Sequence, residues 1–276
     1  MQGIMRLIGL FLFLVSIVPA PSPAAEGPWL RIARGVSHAP FARLLAAHRG
    51  PDGRVDYAAW RRDPAAVGEL DRYLSTFACH DGPPADGREQ MAGWINLYHA
   101  SLARQILDQP RLASPKGDRG FFQEKRFLLG PVPFSLEDLS EGHITALLGW
   151  RARGILHLGC LGGPPLPEKP LETETIDSAI ETNWRRWLAS PDHLQVGPSV
   201  IRLSQIFLWY RGEFDAFGGF RQTLGRYLPP EQAALIQRKD VRVEYLPFDW
   251  TLAESARPAH SYTPGMLLRD RWWPWR

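Results

Sequence analysis

The chain has 276 residues, of which 45% are hydrophobic and 22% charged, an ordinary composition for a globular protein. This length supports one sizeable hydrophobic core or at most two small ones. The net charge is only +3, and no run of about five basic residues occurs, so the composition argues against nucleic-acid binding.

The N-terminus has the pattern of a secretory signal peptide. Arg6 precedes an apolar run over 7–18, and small residues follow at Ser22 and Ala24. This pattern predicts cleavage that removes about residues 1–25. No cysteine follows the apolar run, and no later run reaches the roughly 20 residues of a transmembrane helix. We therefore expect a periplasmic or extracellular protein with neither a lipid anchor nor a transmembrane span.

An extended lead-in over 26–37 precedes a single globular domain predicted over 38–254. Helical periodicity predicts helices at 38–48, 64–78, 88–108, 135–148, 173–189, 204–211, 213–228 and 230–238. Alternation and short apolar runs predict strands at 125–129, 132–134, 154–159, 193–197, 199–203 and 241–247. The balance predicts an α+β fold, a helix-rich single domain with a small, mainly antiparallel sheet.

The predicted helix 88–108 contains the first candidate site residues, Asn96 and His99. They share the edge beside an apolar stripe formed by Met91, Ile95, Tyr98, Leu102 and Ile106. Apolar residues also lie off the stripe, so we expect this helix to be buried on more than one side, with Trp94 and Tyr98 in the core. By pattern alone, Asn96 and His99 are most simply core polar groups that hydrogen-bond to neighbouring segments, and for Asn96 we expect the backbone of segment 154–160 as the partner. A role in a functional site is the alternative.

Two cysteines, Cys79 and Cys160, lie in a chain predicted to be exported, where disulfides can persist. Cys79 follows the helical pattern of 64–78, and Cys160 follows the predicted strand 154–159. A disulfide between them would close a long loop, provided that the fold brings the two sulfurs together. Both states remain open, and we favour two free thiols.

The C-terminal residues 255–276 form an aromatic and basic tail that ends Arg-Asp-Arg-Trp-Trp-Pro-Trp-Arg. Tryptophans flanked by arginines are suited to a membrane interface or to the groove of a partner protein. The alternative, which we favour, is that the indole rings fold back and pack on the domain.

Several segments in the order of the chain carry a family resemblance. They are Gly93-Trp94-Ile95-Asn96-Leu97-Tyr98-His99-Ala100, Phe134-Ser135-Leu136-Glu137-Asp138-Leu139, Leu156-His157-Leu158-Gly159-Cys160, 203–210 and 245–252. Together they resemble the bacterial, plant and animal family catalogued as domain of unknown function 547. That family shows a Trp-Ile-Asn-x-Tyr-Asn helix, a Ser-Leu-x-Asp-Ile-Glu-His segment and a His-bearing strand before a loop with two cysteines. The resemblance runs from about Phe41 to about Leu252 and implies a fold, not a reaction.

The chain departs from this family pattern at the positions that suggest chemistry. The second Asn of the family helix is His99 here, and the family His after Ser-Leu-x-Asp is Glu141. His143 lies two residues beyond that position. The loop after His157 keeps one cysteine, Cys160. Glu141 in place of the family His is expected to disfavour a nearby thiolate. Ser135 is expected to cap the helix that it precedes, and the Asp249 carboxylate to cap backbone N–H groups after the last predicted strand. The resemblance therefore supplies a fold and only part of a thiol-based site.

Two functions are open. The first is a thiol-dependent hydrolase or transferase, in which Cys160 is the nucleophile and an imidazole acts as its base. The candidate catalytic residues are Cys160, His157, His99, His143 and Asn96, with Asp249 as a second residue that could orient the imidazole. The other function is a non-catalytic envelope protein that keeps the family cleft and binds a small molecule or an envelope protein. We favour it, because losing the aligned base and one cysteine together would disable the nucleophile.

Metal and cofactor chemistry rank below both functions. His157 and Cys160, with His99 or Asp249, could hold a metal ion, but no paired spacing such as C-x-x-C or H-x-x-x-H occurs. P-loop, dinucleotide-binding and Gly-x-Ser-x-Gly motifs are absent from the sequence. We therefore predict no cofactor.

Overall fold

The computed structural model describes residues 31–78, 85–129 and 133–255. The helices are α1 (Ala39–His48), α2 (Tyr57–Arg61), α3 (Pro64–Ser75), α4 (Gly87–Leu107), α5 (Ala146–Leu148), α6 (Ile176–Leu188), α7 (Ile206–Trp209), α8 (Arg211–Asp215), α9 (Gly219–Gly225) and α10 (Pro230–Gln237). The strands are β1 (Leu194–Val196), β2 (Val200–Ser204) and β3 (Arg242–Leu246). Helix α5 continues a π-helix (Asp138–Thr145) and leads into a 3-10 helix (Gly149–Gly154), and another 3-10 turn spans Pro115–Gly117.

Aspartate residues fix the starts of three helices in the N-terminal half. Asp56, Asp63 and Asp86 precede α2, α3 and α4, and each carboxylate accepts hydrogen bonds from backbone N–H groups of the first turn. These N–H groups have no partner within the helix, so a side-chain oxygen at this position stabilises the helix by about 1 kcal/mol. Local sequence thus sets where the long helix α4 begins.

Helix α4 is the centre of the fold and is buried on all of its faces. This confirms the predicted helix over 88–108 and its contacts on more than one side. Tyr98 is fully buried, as predicted. The prediction for Trp94 is wrong, because its indole is only partly buried and stacks on the His143 ring with the centroids 4.7 Å apart.

The sheet is small and mixed, in the order β1-β2-β3. Strand β1 pairs antiparallel with β2, with Leu194 opposite Leu203, whereas β2 pairs parallel with β3, with Val200 opposite Arg242. Helices α7 to α10 lie between β2 and β3 in the chain and return it to the end at which β2 begins, which makes the second pair parallel. The helix-rich α+β class is confirmed, but the sheet is not mainly antiparallel.

A cluster of aromatic rings fills the core around α6. Trp184 stacks on Tyr227 with the ring planes 4° apart, and Trp187 stacks on Phe207. The backbone of Gly154 lies against Trp184, so that a Cβ atom at this glycine would fall 2.1 Å from the indole. The 3-10 helix that ends at Gly154 is therefore packed directly on α6.

The structure differs from the predicted strands at two places. Residues 154–159 form no strand, and the backbone joins its neighbours through an isolated bridge from Cys160 to Leu252. A short apolar run is compatible with any fully buried segment, so its periodicity does not identify a strand. The predicted pair 125–129 and 132–134 is reduced, among the described residues, to one bridge between Phe127 and Phe134.

Helix boundaries differ where glycine interrupts the pattern. The predicted helix 213–228 is divided into α8 and α9, because Gly218 and Gly219 adopt φ angles of 87° and 84°. The α conformation cannot continue through such angles. Ser135 is confirmed as a helix-capping residue, since its hydroxyl accepts from the Asp138 N–H and its own N–H donates to the Asp138 carboxylate.

The segment 249–255 forms backbone hydrogen bonds both to the residues before α2 and to the loop after residue 159. The Val55 N–H donates to the Ala253 carbonyl, and the Ala253 N–H donates to the Gly159 carbonyl, both at 3.0 Å. The Leu161 N–H donates to the carbonyl of Thr251. These bonds hold the loop that follows residue 159 against the segment that leads into α2.

The predicted signal peptide 1–25, Cys79 and all of the C-terminal tail except Ser255 lie outside the described residues. Within the described ranges, no helix combines the length and apolar character required to cross a membrane.

Candidate functional site

A cavity of about 230 Å³ lies beside Cys160. It is enclosed by the loop after Cys160, the C-terminal end of α6, the turn before α2 and the segment that follows β3. Trp187 and Phe248 contribute aromatic surface to its wall. The polar side chains in the wall are those of Asp52, Arg54, His157, Cys160, Arg186, Ser190, Asp192, His193, Ser204 and Asp249.

The thiol of Cys160 is free and buried, with an exposed fraction of 1%. Burial raises the pKa of this thiol far above its ordinary value, and the nearby Asp249 carboxylate raises it further. Hydrogen bonding from the backbone of Gly163 and Gly162 acts in the opposite direction, but burial dominates. The sulfur is therefore a neutral thiol at neutral pH, whereas a nucleophile must be a thiolate.

Close backbone packing fixes the loop after Cys160. The Gly162 N–H donates to the Asp249 carbonyl at 2.7 Å, and a Cβ atom at Gly162 would lie only 2.8 Å from the Asp249 nitrogen. Only glycine allows the two segments to approach this closely. The Asp249 carboxylate accepts from the Thr251 N–H, which confirms its predicted backbone-capping role, and Asp249 also lines the cavity.

His157 lines the cavity with Cys160 but does not hydrogen-bond the thiol. Its Nδ1 lies 2.7 Å from the Pro164 carbonyl. Because a carbonyl only accepts, Nδ1 carries the proton and Nε2 has the lone pair. Nε2 is buried and has no hydrogen-bond partner among the described residues. Burial lowers the pKa of His157 to about 4, so the ring is neutral at pH 7.

His99 does not line the cavity and supports its wall from within the core. Its Nε2 lies 3.1 Å from the Ile155 carbonyl and 3.3 Å from the His157 N–H. One tautomer donates to the carbonyl and the other accepts from the N–H, so either one ties the ring to the 155–157 backbone. Burial lowers the pKa of His99 to about 3. Its predicted role as a core polar group agrees with these contacts.

Asn96 is fully buried and binds the backbone of Leu171 at two points. Its Nδ2 donates to the Leu171 carbonyl, and its Oδ1 accepts from the Leu171 N–H, both at 2.8 Å. We expected the segment 154–160 as its partner, and that expectation is wrong, because His99 binds that segment instead. The amide thus joins α4 to the chain that leads into α6.

The proposed relocated base, His143, lies on the π-helix and stacks on Trp94 instead of lining the cavity. Glu141, on the same helix, was expected to face the thiol and disfavour its ionisation. Its carboxylate instead binds the buried guanidinium of Arg153 at 2.7 and 2.8 Å. Arg153 also binds Glu213 and stacks over the Tyr210 ring, so this cluster joins the π-helix to α8.

The histidine that the sequence analysis missed is His193, which lies just before β1 and lines the cavity. Its ring packs at an angle on Trp187, with the centroids 5.6 Å apart. Burial lowers the pKa of His193 to about 4, and the carboxylates of Asp192 and Asp249 oppose this shift. The only local signal is the Ser-Pro-Asp turn that precedes it, which predicts a bend but no function.

No protein-family model, curated protein or solved structure matches this chain. In the described part of the chain, no group of three or more His, Cys, Asp or Glu side chains is arranged to hold a metal ion. The cavity and its wall are therefore the basis for a functional assignment.

Proposed function

We propose that this chain is an exported, non-catalytic member of the domain-of-unknown-function 547 family that binds a small molecule in the cavity beside Cys160. A concave site with apolar surface and a few convergent polar groups is the usual form of a small-molecule site. The cavity volume of about 230 Å³ suits a small ligand better than a segment of a partner protein. An envelope protein is therefore the less favoured partner.

The burial of Cys160 and His157 in the cavity wall, each with an exposed fraction of 1%, is the observation that carries this proposal. Burial raises the pKa of the Cys160 thiol and lowers those of His157 and His193 to about 4. Near pH 7 the wall therefore holds a neutral thiol and neutral imidazoles. Thiol catalysis needs the opposite arrangement, a thiolate stabilised by an adjacent imidazolium. Neutral hydrogen-bonding groups are suited to holding a ligand.

A fragment screen monitored by ¹⁵N-HSQC spectra of the mature protein tests the binding function. We expect binding fragments to shift the amides of Leu161, Gly162 and Gly163, which surround the cavity. Amides on the exposed helix α10 are the internal control and should not shift. A library in which no fragment shifts the cavity amides would contradict the proposal.

A second candidate function is favoured by one feature of the cavity. Cys160, His193 and Asp249 all line it, and the backbone of Gly163 and Gly162 lowers the pKa of the thiol in opposition to burial. A thiol hydrolase would then use His193 as the base and Asp249 to orient it, in place of the histidines expected from the sequence.

Alkylation by iodoacetamide separates the two functions. For a binding protein we expect Cys160 to react far more slowly than free cysteine from pH 6 to pH 8, because the thiol is buried and neutral. A Cys160→Ser variant corrects for labelling at Cys79. Fast labelling at pH 6 that is abolished by His193→Ala and unchanged by His143→Ala would replace binding with thiol catalysis.

Export is a separate part of the proposal and rests on the N-terminal sequence. Mass spectrometry of the protein from its native host should find a mature chain that begins near Ala25 or Glu26. Recovery of the full-length chain from the cytoplasm would contradict export without affecting the cavity.

A further inference from the structure

Arg186 and Arg54 line the cavity, and Arg49 lies behind the wall. Arg186 of α6 lines the cavity and donates to the Pro51 carbonyl at 2.7 Å. Its carboxylate partner, Glu168, is 3.9 Å away and largely exposed, so it neutralises this guanidinium weakly. Burial and, to a smaller degree, the charge of Arg186 lower the pKa of Arg49, and the carboxylates of Glu168 and Asp52 oppose this shift. Both carboxylates are largely exposed, so a bound anion would add to the stabilisation of the two guanidinium groups.

Arg49 gives independent support for an anion at this position. Its Nε and Nη1 donate to the carbonyls of Leu166 and Gly50, but its Nη2 is buried without a hydrogen-bond partner among the described residues. Nη2 lies 3.5 Å from the position of a Cβ atom at Gly53, a residue that lines the cavity. A buried N–H without an acceptor is costly, so an acceptor atom of a ligand near Gly53 would stabilise this guanidinium.

Two further carboxylates line the cavity on segments other than α6 and the turn before α2. Asp192, in the loop before β1, and Asp249, after β3, both line the cavity and both act on the pKa of His193. Neither forms an ion pair within the described ranges. One Asp249 oxygen accepts from the Thr251 N–H. The pair therefore offers negative charge to a ligand.

We infer that the ligand is a small zwitterion, with its anionic group at Arg186 and its ammonium group at Asp249 and Asp192. This inference rests on the proposed binding function and names the chemical class of the ligand. A ligand with one charge would leave the other set of charged side chains desolvated and unpaired, which is unfavourable in a partly enclosed site. The aromatic surface of Trp187 and Phe248 would contact the apolar part of the ligand.

The test uses zwitterions that differ only in the separation of their charges. The probes are glycine, β-alanine, 4-aminobutyrate and 5-aminovalerate, together with the standard α-amino acids. Each ω-amino acid is compared with the carboxylate and the amine of the same chain length. Binding to the mature protein is measured by saturation-transfer NMR and by calorimetry. We expect at least one zwitterion to bind about tenfold or more tightly than both of its single-charge analogues.

Variants in the wall assign each charge of the ligand. Arg186→Gln should weaken binding of the preferred zwitterion and of carboxylates but not of amines. Asp249→Asn and Asp192→Asn should weaken binding of the zwitterion and of amines but not of carboxylates. The exposed neighbours Arg185→Gln and Asp240→Asn are matched controls that should change nothing. The melting temperature of each variant shows whether it is folded.

The outcomes separate this inference from the proposed function. If neutral or singly charged probes bind as tightly as the zwitterions, the ligand is not a zwitterion, although the cavity still binds ligands. The same conclusion follows if the fragment screen finds cavity ligands while no amino acid of either series binds. If neither fragments nor amino acids bind, both the zwitterion and the binding function are wrong.

Discussion

Replacing Asn96 with alanine tests whether the residue at the centre of the family-like motif serves the fold. The side-chain amide is fully buried and makes two hydrogen bonds of 2.8 Å to the backbone of Leu171, itself fully buried. Asn96→Ala leaves one N–H and one carbonyl of Leu171 without partners. Each stranded buried group costs about 1–3 kcal/mol. We therefore expect the free energy of unfolding to fall by about 2–6 kcal/mol.

Urea denaturation followed by circular dichroism measures this loss, with an unchanged m-value as the sign that the unfolding transition is the same. Gln232→Ala is the matched control, because it removes an exposed amide from helix α10 and should change the free energy by less than about 0.5 kcal/mol. A loss for Asn96→Ala no larger than that of the control would show that the amide does not hold α4 to Leu171.

Three further predictions concern the core, the buried ion cluster and the buried histidines. Replacing Trp250, which packs on Phe248 and Trp209, with alanine should lower the free energy of unfolding by about 3–5 kcal/mol. An unchanged melting temperature would contradict this. Arg153→Met should lower the free energy of unfolding by about 3–5 kcal/mol, because it leaves the carboxylates of Glu141 and Glu213 unpaired. Adding Glu141→Gln and Glu213→Gln should recover most of this loss, as measured by chemical denaturation. His38 and His157 have pKa values lowered by burial to about 4, below the unfolded value of 6.5. The unfolded chain therefore takes up protons first as the pH falls, and stability that is complete above about pH 6.5 is lost toward pH 4. For each histidine, the free energy of unfolding should fall by about 1–2 kcal/mol as the pH is lowered from 7 to 5. A flat profile of urea midpoints over that range would contradict the assigned burial.

The sequence predicted best the elements with strong local patterns. Helix α4 extends over nearly the predicted range because its apolar residues repeat at helical spacing and Asp86 marks its start. Strands β1 and β2 flank Gly197 and Pro198, which is an ordinary signal for a hairpin. The direction of β3 was not predictable, because it depends on how the intervening helices pack and not on the residues of the strand.

The candidate site was predicted only in part. Cys160 and His157 share the cavity, since they belong to one continuous segment and the motif placed them together. Asn96 and His99 lie near each other on helix α4 but bind the backbone of two different segments. Helical spacing alone cannot distinguish those partners. His193 was missed because it reaches the cavity from a turn without a motif.

Several polar motif residues bind backbone and serve the fold, whereas most of the charged residues of the cavity lie outside the motifs. Proteins that share these motifs could therefore differ in the ligand that they bind. Asn96 joins α4 to residue 171, Ser135 and Asp138 cap one helix, and the Asp249 carboxylate caps a turn. These hydrogen bonds are made to backbone, so they specify a fold whatever the ligand is. The charges offered to a ligand come largely from Arg186 and Asp192, which lie outside the motif segments. A chain could therefore keep every motif and still bind a different molecule, because changes in a turn and on one helix would alter the charge of the cavity and leave the hydrogen bonds of the fold in place.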